Sequence, residues 1–259
     1  MRRAFFLAPF PPRPMPASMS QALALDLDET VRKADPDRWL ASRFIQDDAA
    51  RADVIALYAF DHELARAPQV ASDPLMAEIR LTWWSEALDE MFAAAAVRAH
   101  PVAQGMADAV RRGNLRRDVL DRLIQARLDD AQRAPFADEG SVSAYLDDTA
   151  GALMQAAVAL LGGQADPLIV QAVGRAWGLA AARRLIAPDR LPASLTPERM
   201  RDLTRQFLRA GRVALRSLPV AAFPAVAYAC LAAPYARGRH PSLLEKQARL
   251  VLAALTGSV

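Results

Sequence analysis

Apolar residues recur every three to four positions through most of this chain, the spacing of helices that bury one face. Residues 1–20 are the exception. They are proline-rich, with Pro9, Pro11, Pro12, Pro14 and Pro16, and read as an irregular, disordered leader. The pattern predicts helices near 36–45, 48–66, 73–96, 100–113, 116–131, 141–162, 166–186, 196–218, 220–235 and 240–256. Asp35-Pro36, Asp73-Pro74, Asp166-Pro167 and Thr196-Pro197 each place a capping oxygen before a proline, the strongest start signals in the chain. Gly113-Asn114 and Gly162-Gly163 read as stops. No segment alternates with period two, so no sheet is expected. The runs from Ala150 to Leu161 and from Val220 to Ala233 carry no charge, which suits helices surrounded on all sides. The expected architecture is a single all-α domain over 21–259, a helical bundle with room for a central cavity between helices.

Composition supports this picture. Of the 259 residues, 53% are hydrophobic, enough for a sizeable core, and glycine is sparse at 11. The net charge of +3 comes from 32 basic and 29 acidic residues; a solvated helical surface gives this by default, and anionic lipid or diphosphate ligands are compatible with it. Cys230 is the single cysteine, so no intrachain disulfide forms and a reducing, cytoplasmic setting is expected. Its apolar surroundings make it a small hydrophobe rather than a nucleophile. The uncharged stretch from Ser217 to Ala236 has the length of a membrane span. Pro219, Pro224 and Pro234 interrupt it, so a buried or interfacial helix pair is expected, with peripheral membrane contact as the remaining option.

The chemistry-bearing residues have structural explanations beside functional ones. Asp61, His62 and Glu63 are consecutive and point in different directions on a helix; they read as a solvated face with a His62–Arg66 or Glu63–Arg66 contact, or as cation ligands. Asp147 and Asp148 sit where a helix macrodipole favours acids, and would hold a cation only if they face a cavity. Asp47-Asp48 and Asp129-Asp130 are similar doublets. Arg80 and Trp84 share a helix face, Trp83 and Trp84 splay apart as core anchors, and Arg80 suits an ion pair or a bound anion. Arg183, Arg184, Arg190, Arg199, Arg201 and Arg205 make 180–205 basic, a candidate site for a diphosphate or lipid headgroup. His62, His100 and His240 have no metal-ligand spacing, and no nucleic-acid module is present.

Several stretches together resemble the squalene/phytoene synthase family, from about Asp35 to about Leu191. They are Asp37 through Phe44, Leu57-Tyr58-Ala59-Phe60, Tyr145 through Gly151, and Gly174-Arg175-Ala176-Trp177-Gly178-Leu179-Ala180. The resemblance implies the all-α isoprenoid-synthase fold. It also implies two facing aspartate-rich helices whose magnesium ions neutralise a departing diphosphate. Carried over, the first motif's principal aspartates fall at Ala65 and Gln69. The second motif's positions fall at Gly178, Ala181 and Leu185, and only Asp189 retains an acid. The family's active-site tyrosine falls at Asp147, and Arg38 keeps a basic residue near a diphosphate-contacting position.

Tyr58-Ala59-Phe60, Arg80-x-x-Trp83-Trp84, His100-Pro101-Val102-Ala103 and the proline-broken 223–235 segment also resemble a non-enzymatic branch of this family, one that assists assembly of mitochondrial respiratory complex I. The expected protein is therefore a catalytically degenerate scaffold without a metal cofactor. It binds an isoprenoid or lipid ligand, or a membrane-associated respiratory-complex subunit, with Arg38, Tyr58, Arg80, Trp84, Arg183 and Arg184 as ligand contacts. The alternative is an active magnesium-dependent prenyltransferase joining two prenyl diphosphates head to head, with metal ligands drawn from Asp61, Glu63, Asp147, Asp148 and Asp189.

Overall fold

A computed structural model describes residues 17–71, 73–163, 167–215 and 217–259; the side chains of 17–22, 167, 169, 183–185, 213 and 214 are outside that description. The described residues are helical and contain no strand. The predicted cap-and-proline starts are realised where they are described. The Asp35 carboxylate accepts from the Arg38 amide at 3.1 Å and opens α2 (Pro36–Ser42); Asp73 accepts from the Met76 amide at 3.0 Å and opens α4 (Pro74–Phe92). Thr196 Oγ1 accepts from the Arg199 amide at 3.2 Å ahead of α10 (Pro197–Leu215). Asp166 lies outside the described residues.

The first 16 residues of the expected leader also lie outside the described residues. From Ala17 the chain is already helical, as α1 (Ala17–Ala34). Leu23, Leu27 and Val31 face the core at i, i+4 and i+8, the stripe that should have marked this helix in the sequence. Asp28 fixes it to α2 by accepting from the Trp39 indole at 2.9 Å and from Arg43 at 2.6 Å.

At the centre runs α3 (Asp48–Val70), with α5 (Pro101–Arg112), α6 (Arg117–Gln132), α1 and α4 packed around it. Val54 through Phe60 are buried without a break, which requires neighbours on every side. The chain then forms α7 (Glu139–Leu146), a π turn at Asp147–Gly151, and α8 (Ala152–Leu160). The long helix α9 (Pro167–Leu185) packs against that π turn and against α10.

The helix expected over 220–235 is instead broken into short pieces. These are a 3-10 turn, α11 (Pro224–Ala227), a second 3-10 turn and α12 (Ala232–Ala236). Pro224 and Pro234 lack the amides that a continuous helix would use. The closing helix is α13 (Leu243–Thr256). Among the described residues no helix is long and apolar enough to cross a membrane.

Cys230 lies in the second 3-10 turn of this broken segment, and burial pushes its thiol up to about 12. At pH 8 the native protein should be alkylated by iodoacetamide at least about a hundred-fold more slowly than the urea-unfolded chain. Equal rates would show the thiol to be open to solvent.

Candidate functional site

The helices enclose a cavity of about 640 Å³. Its opposite walls are the two segments whose spacing drew attention in the sequence. Asp61, Ala65 and Gln69 project from α3 at i, i+4 and i+8, while Gly178, Ala181 and Ala182 project from α9. The π turn supplies Thr149 and Ala150 to the same space. Its extra residue shifts the helix register, and Asp147 is drawn to Arg175 on α9, with Nε donating at 2.6 Å.

One side of the cavity is built of alternating charges. Arg38 Nη1 lies 2.8 Å from Asp35 Oδ2 and 3.5 Å from Asp61 Oδ2. The other Asp61 oxygen is 3.4 Å from Arg127 Nη2, and Arg127 Nη1 is 3.0 Å from Asp130 Oδ2. Asp130 also accepts from the Tyr145 hydroxyl at 2.8 Å and from Arg190 Nη1 at 2.8 Å. The ladder Arg38–Asp61–Arg127–Asp130–Arg190 thus joins α2, α3, α6 and the turn after α9. Its five side chains are between 10% and 14% exposed, so the pairs are little screened by water.

Burial alone would lower the Arg38 and Arg127 pKa values. The neighbouring acids and tyrosines outweigh it and hold both guanidiniums charged. Burial is also the main reason that the Tyr145 hydroxyl is pushed up to about 12, which keeps it a donor. Near α13, Lys246 lies 2.7 Å from Asp37, and Tyr235 donates to the same carboxylate at 2.6 Å.

The opposite side is apolar and small: Ala65, Ala150, Gly178, Ala181 and Ala182, with Trp177 and Ile186 at its edges. The whole lining carries Asp35, Asp37, Asp61, Asp130 and Asp189 against Arg38, Arg127, Arg133, Arg190 and Lys246, five charges of each sign. A ligand with an apolar body and a polar head fits such a space. The body lies on the alanine and glycine wall, and the head meets the guanidiniums.

A pair of magnesium ions does not fit the same residues. Hard cations need clusters of free carboxylates. Asp61 and Asp130 each lie between two guanidiniums, and the facing α9 wall offers glycine and alanine. Among the described residues no group of three His, Cys, Asp or Glu side chains is placed to hold a metal.

Of the residues named in the sequence as ligand contacts or metal ligands, Arg38, Asp61 and Asp189 are those whose described side chains reach this cavity. Tyr58 does not; it is buried behind the wall, with the Arg38 guanidinium 5.7 Å from its ring centre. Asp147 is tied to Arg175, and Asp148 lies 3.4 Å from Arg122; burial is the main cause raising the Asp148 pKa. Glu63, Arg80 and Trp84 line a different concavity, and Glu63 makes the expected contact with Arg66 at 3.8 Å. Trp83 and Trp84 do not splay apart. Their rings meet edge to face at 4.8 Å.

The side chains of Arg183 and Arg184 lie outside the described residues. The rest of the basic 180–205 region is not one site: Arg199, Arg201 and Arg205 pair with Glu139, Glu198 and Asp202, and Arg190 alone of these four lines the cavity. Sequence reasoning missed Arg127, Asp130 and Tyr145 as cavity residues. The Asp129-Asp130 doublet with a cation three residues before Asp130 was the available signal.

Comparison with known proteins bears on the fold and the family. A crystal structure of a dehydrosqualene synthase in complex with ligand superposes with a TM-score of 0.71 at 13% identity, over 93% of this chain and 96% of that one; at this identity the likeness shows the shared fold. Curated relatives are NADH dehydrogenase (ubiquinone) complex I, assembly factor 6 from Rattus norvegicus, 28% identical over 134 residues, and from Mus musculus, 27% identical over 134. Each match spans 52% of this chain and 40% of that protein, well under half of the relatives' length. The squalene/phytoene synthase family matches residues 31–197, more than half of the chain. On that match, in the fold that the superposition shows, the chain belongs to the squalene/phytoene synthase family.

Proposed function

We propose that this chain is a catalytically degenerate family member that holds a lipid or isoprenoid in its cavity without metal, and that it serves as a scaffold in assembling a respiratory complex. The observation that carries the reading is the charge ladder. Asp61 and Asp130 are committed to Arg38, Arg127 and Arg190. Ionising a prenyl diphosphate in an apolar pocket demands strong electrostatic neutralisation of the leaving group, and losing it removes the largest catalytic term. Here the lining charges already balance. What remains supports recognition: donors from the ladder for a polar head and a small-residue wall for the chain. The assembly role rests on the likeness to complex I assembly factor 6 of rat and mouse.

The test is incubation of purified protein with farnesyl or geranylgeranyl diphosphate and magnesium. No head-to-head condensation product is expected. Calorimetric affinity for the same ligands should change less than about three-fold between magnesium and EDTA, because the ladder rather than a metal meets the head. A presqualene- or prephytoene-type product, or binding that vanishes in EDTA, would restore the prenyltransferase reading. Deleting the gene and measuring assembled complex I tests the partner role, and an unchanged amount would count against it.

A further inference from the structure

A second concavity, of about 490 Å³, opens on the opposite face of α3 from the cavity. Its floor is aromatic. The His100 ring lies 5.1 Å from that of Trp84 and 5.6 Å from that of Trp83, and its Nδ1 is buried with no hydrogen-bond partner among the described residues. Ala67 and Val70 form one wall and Ile79 the other. Two guanidiniums stand at the rim. Glu63 lines the same groove and lies 3.8 Å from Arg66, the one acidic contact of Arg66 among the described residues; Arg80 has none among them.

The apolar surface does not end at the groove. Leu75 is 61% exposed, Ile79 53% and Met76 40%, and these three lead along α4 into Trp83. Leu75, Ile79 and Trp83 follow one another at i+4, so α4 presents about 12 Å of a single face, a little over two helical turns. Exposed aliphatic side chains in that spacing, beside an aromatic slot, form a surface that none of the described residues covers. Of the cations beside it, Arg66 shares the rim with Glu63, and Arg80 has no acidic partner among the described residues.

We propose that this groove docks an amphipathic helical segment of another protein, one whose apolar face enters between α3 and α4 and whose carboxylates meet Arg80 and Arg66. A helix fits the length and straightness of the exposed face. The rim carries two guanidiniums against the single carboxylate of Glu63, and this positive excess, centred on Arg80, selects an acidic one and disfavours a basic one. The site lies outside the cavity, so it stands whether or not the cavity holds a lipid.

The test uses the full chain and two synthetic peptides of about 16 residues, stapled to be helical. Both carry leucine at i, i+4 and i+8. One has glutamate at the flanking positions and the other lysine. Trp83 and Trp84 report binding through their fluorescence. The acidic peptide is expected to bind about ten-fold or more tightly than the basic one, and Arg80→Glu is expected to abolish or reverse that preference. Ile79→Glu should weaken the acidic peptide by a similar factor. Both substituted side chains are exposed, and unchanged circular dichroism checks that the variants fold.

Equal affinities, no binding of either peptide, or a preference indifferent to Arg80→Glu would overturn the proposal. So would the same tryptophan change on phosphatidylcholine–phosphatidylglycerol vesicles without peptide, which would assign the face to lipid. Sedimentation showing a dimer that Ile79→Glu dissolves would assign it to a second copy and overturn it equally.

Discussion

Replacing Arg127 by methionine is expected to lower the unfolding free energy by about 3 kcal/mol, read from urea denaturation, although it removes no hydrophobic contact of the core. Arg127 is the middle rung of the ladder, bonded to Asp61, Asp130 and the Tyr145 hydroxyl, and its side chain is 14% exposed. Methionine keeps much of the volume and none of the charge. Asp61 is then left with the 3.5 Å contact to Arg38, and Asp130 with Arg190 and Tyr145.

A buried carboxylate deprived of its cation costs far more than the intact pair contributes, because the pair has already met most of its desolvation penalty. The double variant Asp61→Asn with Arg127→Met should therefore recover about 1–2 kcal/mol relative to Arg127→Met alone. If Arg127→Met unfolds at the same urea concentration as the parent, the ladder is a solvated surface feature, and its claim to have replaced a metal site falls with it.

Legibility in the sequence divides along the same line. Helices were readable where a cap and a proline mark the start, as at Asp35, Asp73 and Thr196, because those signals are local. The helix at Ala17–Ala34 was lost behind the prolines before it, and the run after Val220 was read as one helix because apolar periodicity does not register the amides that Pro224 and Pro234 lack.

The two cavity walls were readable through the family resemblance, and the positions it picked out, Ala65, Gln69, Gly178 and Ala181, do line the cavity. The ladder was not readable. Arg38, Asp61, Asp130 and Arg190 are far apart in sequence, and only packing brings alternating charges within 4 Å. Asp147 and Asp148 were candidates for a cation because acids at a helix start are visible. Their partners Arg175 and Arg122, on other helices, are not.

The packing that closes the cavity depends on one glycine, and three glycine-to-alanine variants should separate clearly. At Gly174 on α9 an added Cβ would stand 2.5 Å from the Cα of Gly151 and 2.8 Å from its amide nitrogen. Both are backbone atoms of the π turn, which cannot swing aside as a side chain can. At Gly178, one turn on, the nearest obstacle is Leu146 Cδ2 at 2.6 Å, the free end of a flexible side chain. At Gly151 itself the closest atom outside its neighbours is the Leu146 carbonyl oxygen at 3.4 Å, near ordinary contact.

Alanine is favoured over glycine in a helix by about 1 kcal/mol, so Gly151→Ala should be near neutral or stabilising. Gly178→Ala should cost less than about 1 kcal/mol while Leu146 adjusts. Gly174→Ala must push α9 off the π turn, and a loss of about 2 kcal/mol or more is expected, beyond the propensity gain. Displacing α9 also moves Gly178 and Ala181 away from Asp61 and Ala65, so Gly174→Ala should lose ligand affinity as well as stability. Gly151→Ala should keep both. Equal stability of the Gly174 and Gly151 variants in thermal and urea unfolding would mean that the two helices do not touch there, and that the small-residue wall is not held against α3 by this contact.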